Sequence, residues 1–269
     1  MRNILITVAY DGTHFHGYQD QGPKKLRTVE TLLKAALEKT VGHPVALQSA
    51  GRTDKGVHAL GQKANFLSDT PIDLGNFPRV VNYHLPRDLS IVEAVEVPAD
   101  FHARYGAKKK HYKYRIYNSK HRNGMLDRYA VHAPFPLDVE RMERALKKIE
   151  GFHDYSAFIG RYASPANPKR AIDEITVTRA GEIIEVDFFG KSFLKNQIRI
   201  IMGCAMEIGR GLMPEDQLLK ATETLDRKDL GPTAAANGLI LCPSTTNSTE
   251  NVLFFYSKTV FHDKMKDST

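Results

Sequence analysis

The sequence predicts an α+β protein in which two halves repeat one order of strands and helices. Short runs rich in β-branched and aromatic residues, such as LITVAY near the N-terminus, have strand character. Between these runs, apolar residues recur at helical spacing, and several such segments have a capping side chain before them or a glycine after them. Both halves read strand–helix–strand–strand–helix–strand, which is the ferredoxin-like order.

In the first half, LITVAY ends at a DG turn signal. Thr28 can cap a helix over VETLLKAALEKTV, whose apolar residues share one face and which Gly42 ends. We expect the next strands over PVALQS and QKANFLS. A weaker helix is expected over about residues 72–84, and a further strand over 89–97.

In the second half, HYKYRIYN is the first expected strand. Asp138 can cap a helix over VERMERALKKIEG, and EITVTRAGEIIEVDFFG is expected to form a hairpin that turns at Ala180-Gly181. QIRIIMGCAMEIG has the apolar stripe of a helix, and PEDQLLKATETLD is another helix with Pro214 at its start. GLILCP and NVLFFYSKTVF are expected to be late strands.

The repetition is one of topology, because the two halves share no repeated sequence. The boundary falls near FHARYGAKKK, residues 101–110. We therefore divide the chain into an N-terminal half, 1–104, and a C-terminal half, 105–269.

The composition and the apolar runs of the chain limit the classes of protein to which it can belong. The chain has 269 residues, no apolar run of membrane-spanning length and no secretory signal pattern. Its two cysteines, Cys204 and Cys242, have no metal-like spacing, which favours a reducing, cytoplasmic setting. A formal charge of +7 is consistent with a nucleic-acid partner and equally with a solvated basic surface.

The most unusual stretch is SAGRTDKGVHALGQ, residues 49–62. Its glycines permit close approach of another chain, and Arg52 offers a planar donor fork for phosphate or for stacking on a base. Asp54 is the only acid there, and neighbouring positive charge favours its ionised form, which can act as a nucleophile. From these residues alone, an ordinary surface turn is the simpler interpretation.

Two further stretches carry candidate residues. A strand over HYKYRIYN would have one basic face and one aromatic face, because basic and aromatic residues alternate along it. Tyr112 lies on the aromatic face, where it is either a stacking platform for a base or part of the core. Arg199 lies near the start of the QIRIIMG helix, where a cation is disfavoured. It therefore either meets an anionic partner or is a solvated side chain. We expect Lys109 or Lys110 to bind phosphate.

Together these stretches resemble the TruA family of tRNA pseudouridine synthases. SAGRTDKGVHALGQ matches the family's signature, and DFHARYGAKKKHYKYRIYN, GFHDYSAF and FLKNQIRIIMG support it over about residues 3–241. The resemblance implies an isomerase that converts uridine to pseudouridine in the anticodon stem-loop of tRNA, at positions 38, 39 and 40. It implies no cofactor and no metal, and it implies a homodimer.

The resemblance also implies a role for each matching residue. Asp54 corresponds to the essential aspartate, and Tyr112 to the tyrosine that packs on the target base. Arg199 corresponds to the basic residue that pairs with the aspartate, and Arg52 to an arginine that assists base flipping. The implied fold is one extended mixed, largely antiparallel sheet with helices on one side and a central cleft.

The chain departs from the family pattern in three places, one of which is the polar STTNSTEN that follows GLILCP. Tyr18 stands where the family has tryptophan, and we expect its aromatic packing to survive. FLKNQIR has Lys195, Asn196 and Gln197 where more apolar or aromatic residues are usual.

Two other functions use the same features. A non-catalytic RNA-binding protein would need no carboxylate facing a polyanion, and a base-exchanging transglycosylase would also use an aspartate. Release of a free base separates a transglycosylase from an isomerase, because only the transglycosylase liberates one.

Overall fold

The computed structural model describes residues 1–106, 108–160 and 165–243. Eleven strands are present there: β1 (Arg2–Tyr10), β2 (Gln48–Ser49), β3 (His58–Ser68), β4 (Leu89–Val97), β5 (Lys110–Asn118), β6 (Val131–Ala133), β7 (Gly151–Asp154), β8 (Lys169–Ile172), β9 (Glu174–Ala180), β10 (Ile183–Gly190) and β11 (Leu239–Cys242). Six α-helices accompany them in the same described ranges: α1 (Val29–Val41), α2 (Phe77–Asn82), α3 (Ala103–Gly106), α4 (Val139–Lys147), α5 (Gln197–Gly209) and α6 (Gln217–Thr224).

One nine-stranded sheet joins the two halves. Its order is β4-β1-β3-β11-β5-β10-β9, with β2 on β3 and β6 on β5. Within each half the order is ferredoxin-like: β4-β1-β3-β2 in the first and β11-β5-β10-β9 in the second. The short strand β11 runs antiparallel to β5 and parallel to β3, so it is the seam of a mixed sheet. The predicted fold class is confirmed.

The two faces of the sheet differ in character. On one face, strand residues such as Ile6 and Ile184 are fully buried in a core that includes Leu33 of α1 and Ile201 of α5. The opposite face carries charged side chains in pairs. They include Lys63 with Glu93, Lys113 and Arg115 with Glu185, and His111 with Asp187.

The predicted helix caps are confirmed. The side chain of Thr28 accepts a hydrogen bond from the backbone N–H of Thr31, and that of Asp138 from the N–H of Arg141. Gly42 ends α1 in the left-handed conformation, at φ 78°. These signals are local in the chain, which is why the sequence predicts them well.

Several boundaries differ from the prediction. Helix α2 covers only Phe77–Asn82, because the Asn82 side chain bonds both backbone groups of Ile91 in β4. Helix α6 begins three residues after Pro214 and not at it. The turn between β9 and β10 lies at 181–182, one residue later than predicted. The strand expected over NVLFFYSKTVF lies outside the described residues. In the part of the chain that the structure covers, no helix has the length and apolar character needed to cross a bilayer.

Candidate active site

Asp54 lies in a tight turn that precedes β3. The backbone N–H of Val57 donates to the carbonyl of Asp54 over 3.1 Å, and Gly56 adopts φ 80°. A positive φ at this third position of the turn favours glycine. The turn leaves Asp54 partly exposed, while Arg52 and Lys55 beside it are exposed.

The chain before Asp54 is held by the first half. Tyr18 N–H donates to the Thr53 carbonyl over 3.1 Å, and the Tyr10 and Thr53 hydroxyls lie 2.8 Å apart. Gly17 has φ 97°, and a Cβ there would lie 3.0 Å from the Thr53 carbonyl oxygen. The backbone of the Asp54 turn therefore packs directly on the segment that contains Gly17 and Tyr18. Tyr18 is fully buried with its ring centroid 6.5 Å from that of Tyr10, so the predicted aromatic packing is confirmed.

The chain after Asp54 is held by His58 and Gly12. The Gly12 N–H donates to His58 Nδ1 over 3.0 Å, and a Cβ at Gly12 would lie 2.1 Å from the Val57 carbonyl oxygen. Burial lowers the pKa of His58, although the carboxylate of Asp11 opposes this shift. An imidazole that accepts at Nδ1 is unprotonated at that nitrogen. His58 thus has a structural contact that the sequence alone did not indicate.

Tyr112 is brought close to Asp54. Its side chain is 8% exposed on the core face of β5, and its ring meets Phe193 edge-on at 5.4 Å between centroids. Burial raises the pKa of the Tyr112 hydroxyl, and the negative charge of Asp54 raises it further. Tyr112 therefore keeps its proton at neutral pH.

Arg199 does not pair with Asp54, and this expectation is wrong for the structure. Within the described residues no ion pair joins them; the guanidinium donates to the Ala234 carbonyl over 2.8 Å and to Asn196 Oδ1 over 3.0 Å. Asn196 precedes α5 with φ 62°, and this left-handed backbone places its amide beside Arg199. These two nearby acceptors take two of the five N–H donors of the guanidinium.

Arg199 instead lies near Tyr114. Burial raises the pKa of Tyr114, and the positive charge of Arg199 opposes that shift. The Tyr114 hydroxyl donates to the carbonyl of Ala235, the residue after the one that Arg199 contacts. Tyr112 and Tyr114 are two positions apart on β5, about 6.6 Å along a strand. Asp54 and Arg199 therefore face neighbouring parts of one aromatic surface.

Lys110 is partly buried and contacts the backbone of the first half. Its Nζ donates to the Ala50 carbonyl over 3.1 Å, at the start of the stretch that contains Asp54. Burial lowers the pKa of Lys110, and the charge of Arg104 adds to this effect. Lys109 is exposed, with its ammonium 4.9 Å from the ring centroid of Phe189.

Three exposed cations border the turn. Arg52 and Lys55 flank Asp54 in the chain, and Arg104 lies near Lys110. Within the described ranges none of them forms an ion pair with a carboxylate, in contrast to the paired cations on the far face of the sheet. The described residues also contain no group of three or more His, Cys, Asp or Glu placed to hold a metal ion.

Comparison with known proteins identifies the family of this chain. The family model described as tRNA pseudouridine synthase matches residues 6–106 and 145–245. Curated proteins named tRNA pseudouridine synthase A are similar over most of their length. The one from Acetivibrio thermocellus is 41% identical, covering 90% of this chain and 98% of its own. The one from Limosilactobacillus fermentum is 39% identical, covering 93% of this chain and 98% of its own. The chain therefore belongs to the tRNA pseudouridine synthase family and is an isomerase.

Proposed function

We propose that this protein converts uridine to pseudouridine in the anticodon stem-loop of tRNA, at positions 38, 39 and 40, with Asp54 as the catalytic carboxylate. The observation that carries the proposal is the placement of Asp54 on a turn held from both sides, against the buried ring of Tyr112. A partly exposed carboxylate beside an aromatic wall can meet a nucleoside, and the rigid turn keeps it oriented.

The reaction breaks the glycosidic C1′–N1 bond, rotates the uracil and forms a C1′–C5 bond. The proton on C5 is then lost and N1 gains a proton, so substrate and product have the same composition. Uracil leaves as an anion, so the site needs one carboxylate and no second acid. Tyr112 gives the detached base an apolar surface, and its hydroxyl is protonated and able to donate a hydrogen bond. The base must leave the stem to reach Asp54. Arg52 is exposed beside Asp54, and its proposed role is to contact the flipped nucleotide or its phosphates.

The charge distribution supports a polyanionic substrate. Arg52, Lys55 and Arg104 are exposed around the turn, whereas Lys113 and Arg115 on the opposite face are bound to Glu185. Cations without carboxylate partners are free to neutralise phosphates, and the released counterions favour binding. We further propose that the protein acts in the cytoplasm as a homodimer, with halves 1–104 and 105–269 on either side of the cleft.

The direct test of the proposed function is to map pseudouridine in tRNA that lacks the modification, with and without the purified protein. We expect new pseudouridine at positions 38, 39 and 40 and no release of free uracil. Free uracil in step with turnover would identify a transglycosylase instead. Tight tRNA binding with no change in the RNA would identify a binding protein.

Replacing Arg199 with alanine is expected to lower single-turnover pseudouridine formation by about 10- to 100-fold at saturating tRNA. The change removes a cation next to Tyr114 and frees the carbonyl of Ala234, so the segment that borders the aromatic surface loses its anchor. The slope of binding affinity against salt concentration should stay close to wild type. A slope reduced by about one unit with normal chemistry would make Arg199 a phosphate contact. Lys220→Ala removes one positive charge from α6 and is the control for the loss of charge alone.

A further inference from the structure

We infer that Lys110 is a positioning residue that fixes the Asp54 turn from across the seam between the two halves. This inference rests on the proposed function of Asp54. Lys110 begins β5 in the second half, but its Nζ donates to the carbonyl of Ala50 in the first half. Ala50 lies four residues before Asp54.

The space around Gly51 shows how closely the Lys110 ammonium approaches this stretch. A Cβ at Gly51 would lie 2.6 Å from Lys110 Nζ and 3.7 Å from its Cε. The ammonium therefore occupies the space that any side chain at position 51 would need. Gly51 does not have a positive φ, so the effect of a side chain at this position would be to displace the lysine and not to strain the backbone.

Two hydrogen bonds from β3 hold the same stretch that Lys110 contacts. Ala50 N–H donates to the Lys63 carbonyl over 2.8 Å, and Gln62 Nε2 donates to the Gly51 carbonyl over 2.9 Å. Both of these anchors come from β3, in the same half as the turn. Lys110 adds the one bond of this set that comes from β5, where Tyr112 lies two residues further on.

This geometry links the two parts of the site. The strand that carries Tyr112 also carries the group that holds the stretch leading to Asp54. The distance between the carboxylate and the aromatic wall therefore depends on the Lys110–Ala50 bond. The partial burial of Lys110 favours a role inside the protein over a contact with solvent-exposed phosphate.

The first part of the test is Lys110→Met, which keeps most of the side-chain volume and removes the donor. We expect single-turnover pseudouridine formation at saturating tRNA to fall by about 10- to 100-fold, with little change in tRNA affinity or in its salt dependence. Lys113→Met makes the same substitution on the opposite face of β5, and it should leave the rate unchanged. Thermal melts of both variants establish that they are folded.

The second part is a double-mutant cycle with Gly51→Ala. In the wild-type background the new methyl group displaces the ammonium from Ala50, so the rate should fall as it does in Lys110→Met. A methionine at 110 ends near the present Cε, which leaves room for the methyl group. Gly51→Ala should therefore add less than about a twofold loss in that background.

The outcomes separate this inference from the proposed function. A wild-type protein that makes no pseudouridine, or an Asp54→Asn variant that keeps full activity, would contradict the proposed function. With an active wild type, a normal single-turnover rate in Lys110→Met together with a salt slope reduced by about one unit would make Lys110 a phosphate contact. Additive losses in the cycle would show that Gly51 acts without Lys110. Either result overturns the inference.

Discussion

Replacing Asp54 with asparagine is expected to lower pseudouridine formation by at least about a thousandfold, while tRNA affinity changes little. Asparagine keeps the shape of the side chain, but it removes the negative charge needed for attack or proton abstraction. The turn should survive, because its hydrogen bonds involve the backbone of Asp54 and the side chains of Tyr10 and Thr53. Single-turnover kinetics and filter binding on one tRNA preparation measure the two effects separately.

Asp69→Asn is the matched control for this change. Asp69 is an exposed aspartate after β3, and its Oδ1 lies 3.6 Å from His43 Nε2. We expect full activity in that variant. Multiple-turnover activity near wild type in Asp54→Asn would contradict the assignment of Asp54, and a large loss of tRNA affinity would make it a binding residue.

Replacing Gly203 with alanine is expected to destabilise the protein by about 1–3 kcal/mol. At an exposed helix site this change would be stabilising by roughly 1 kcal/mol. Here a Cβ would lie 1.7 Å from the Pro232 carbonyl oxygen and 3.1 Å from the Ala234 nitrogen. The segment 232–234 would have to move away from α5, so the sign of the effect is reversed.

The same displacement should reach the site. Ala234 N–H donates to the Arg199 carbonyl over 2.9 Å, and the Arg199 side chain donates back to the Ala234 carbonyl. We therefore expect a melting temperature lower by about 2 to 12 °C and a slower single-turnover reaction at temperatures where the variant is folded.

Gly231→Ala is the control on the facing segment. A Cβ there would lie 3.3 Å from the Glu207 side chain, which can move, and 3.5 Å from the Cys204 Cα. Its melting temperature should stay near wild type. If Gly203→Ala melts at the wild-type temperature, segment 232–234 is not held against α5 as tightly as this packing indicates.

The resemblance of SAGRTDKGVHALGQ supplied most of what the sequence could say about function, and local signals supplied most of the fold. Helix α5 spans the predicted residues, Gln197–Gly209, because its apolar stripe lies within one continuous segment. The predicted two-faced strand β5 is also confirmed, with Tyr112 and Tyr114 buried and Lys113 and Arg115 paired on the other face. Such patterns depend on neighbours only a few residues apart, and a sequence displays them directly.

The partners of the charged groups were decided by the tertiary structure. Arg199 bonds to Ala234 and Asn196 in place of Asp54, and Lys110 bonds to the Ala50 carbonyl across the seam. Both side chains are long and can reach several acceptors, so the chain segment that packs nearest takes the hydrogen bond. No pattern in the sequence specifies that segment, because it is brought close only when β11 is placed between β3 and β5. The sequence therefore determined the elements and the residue types of this site, and long-range packing determined which of those residues touch.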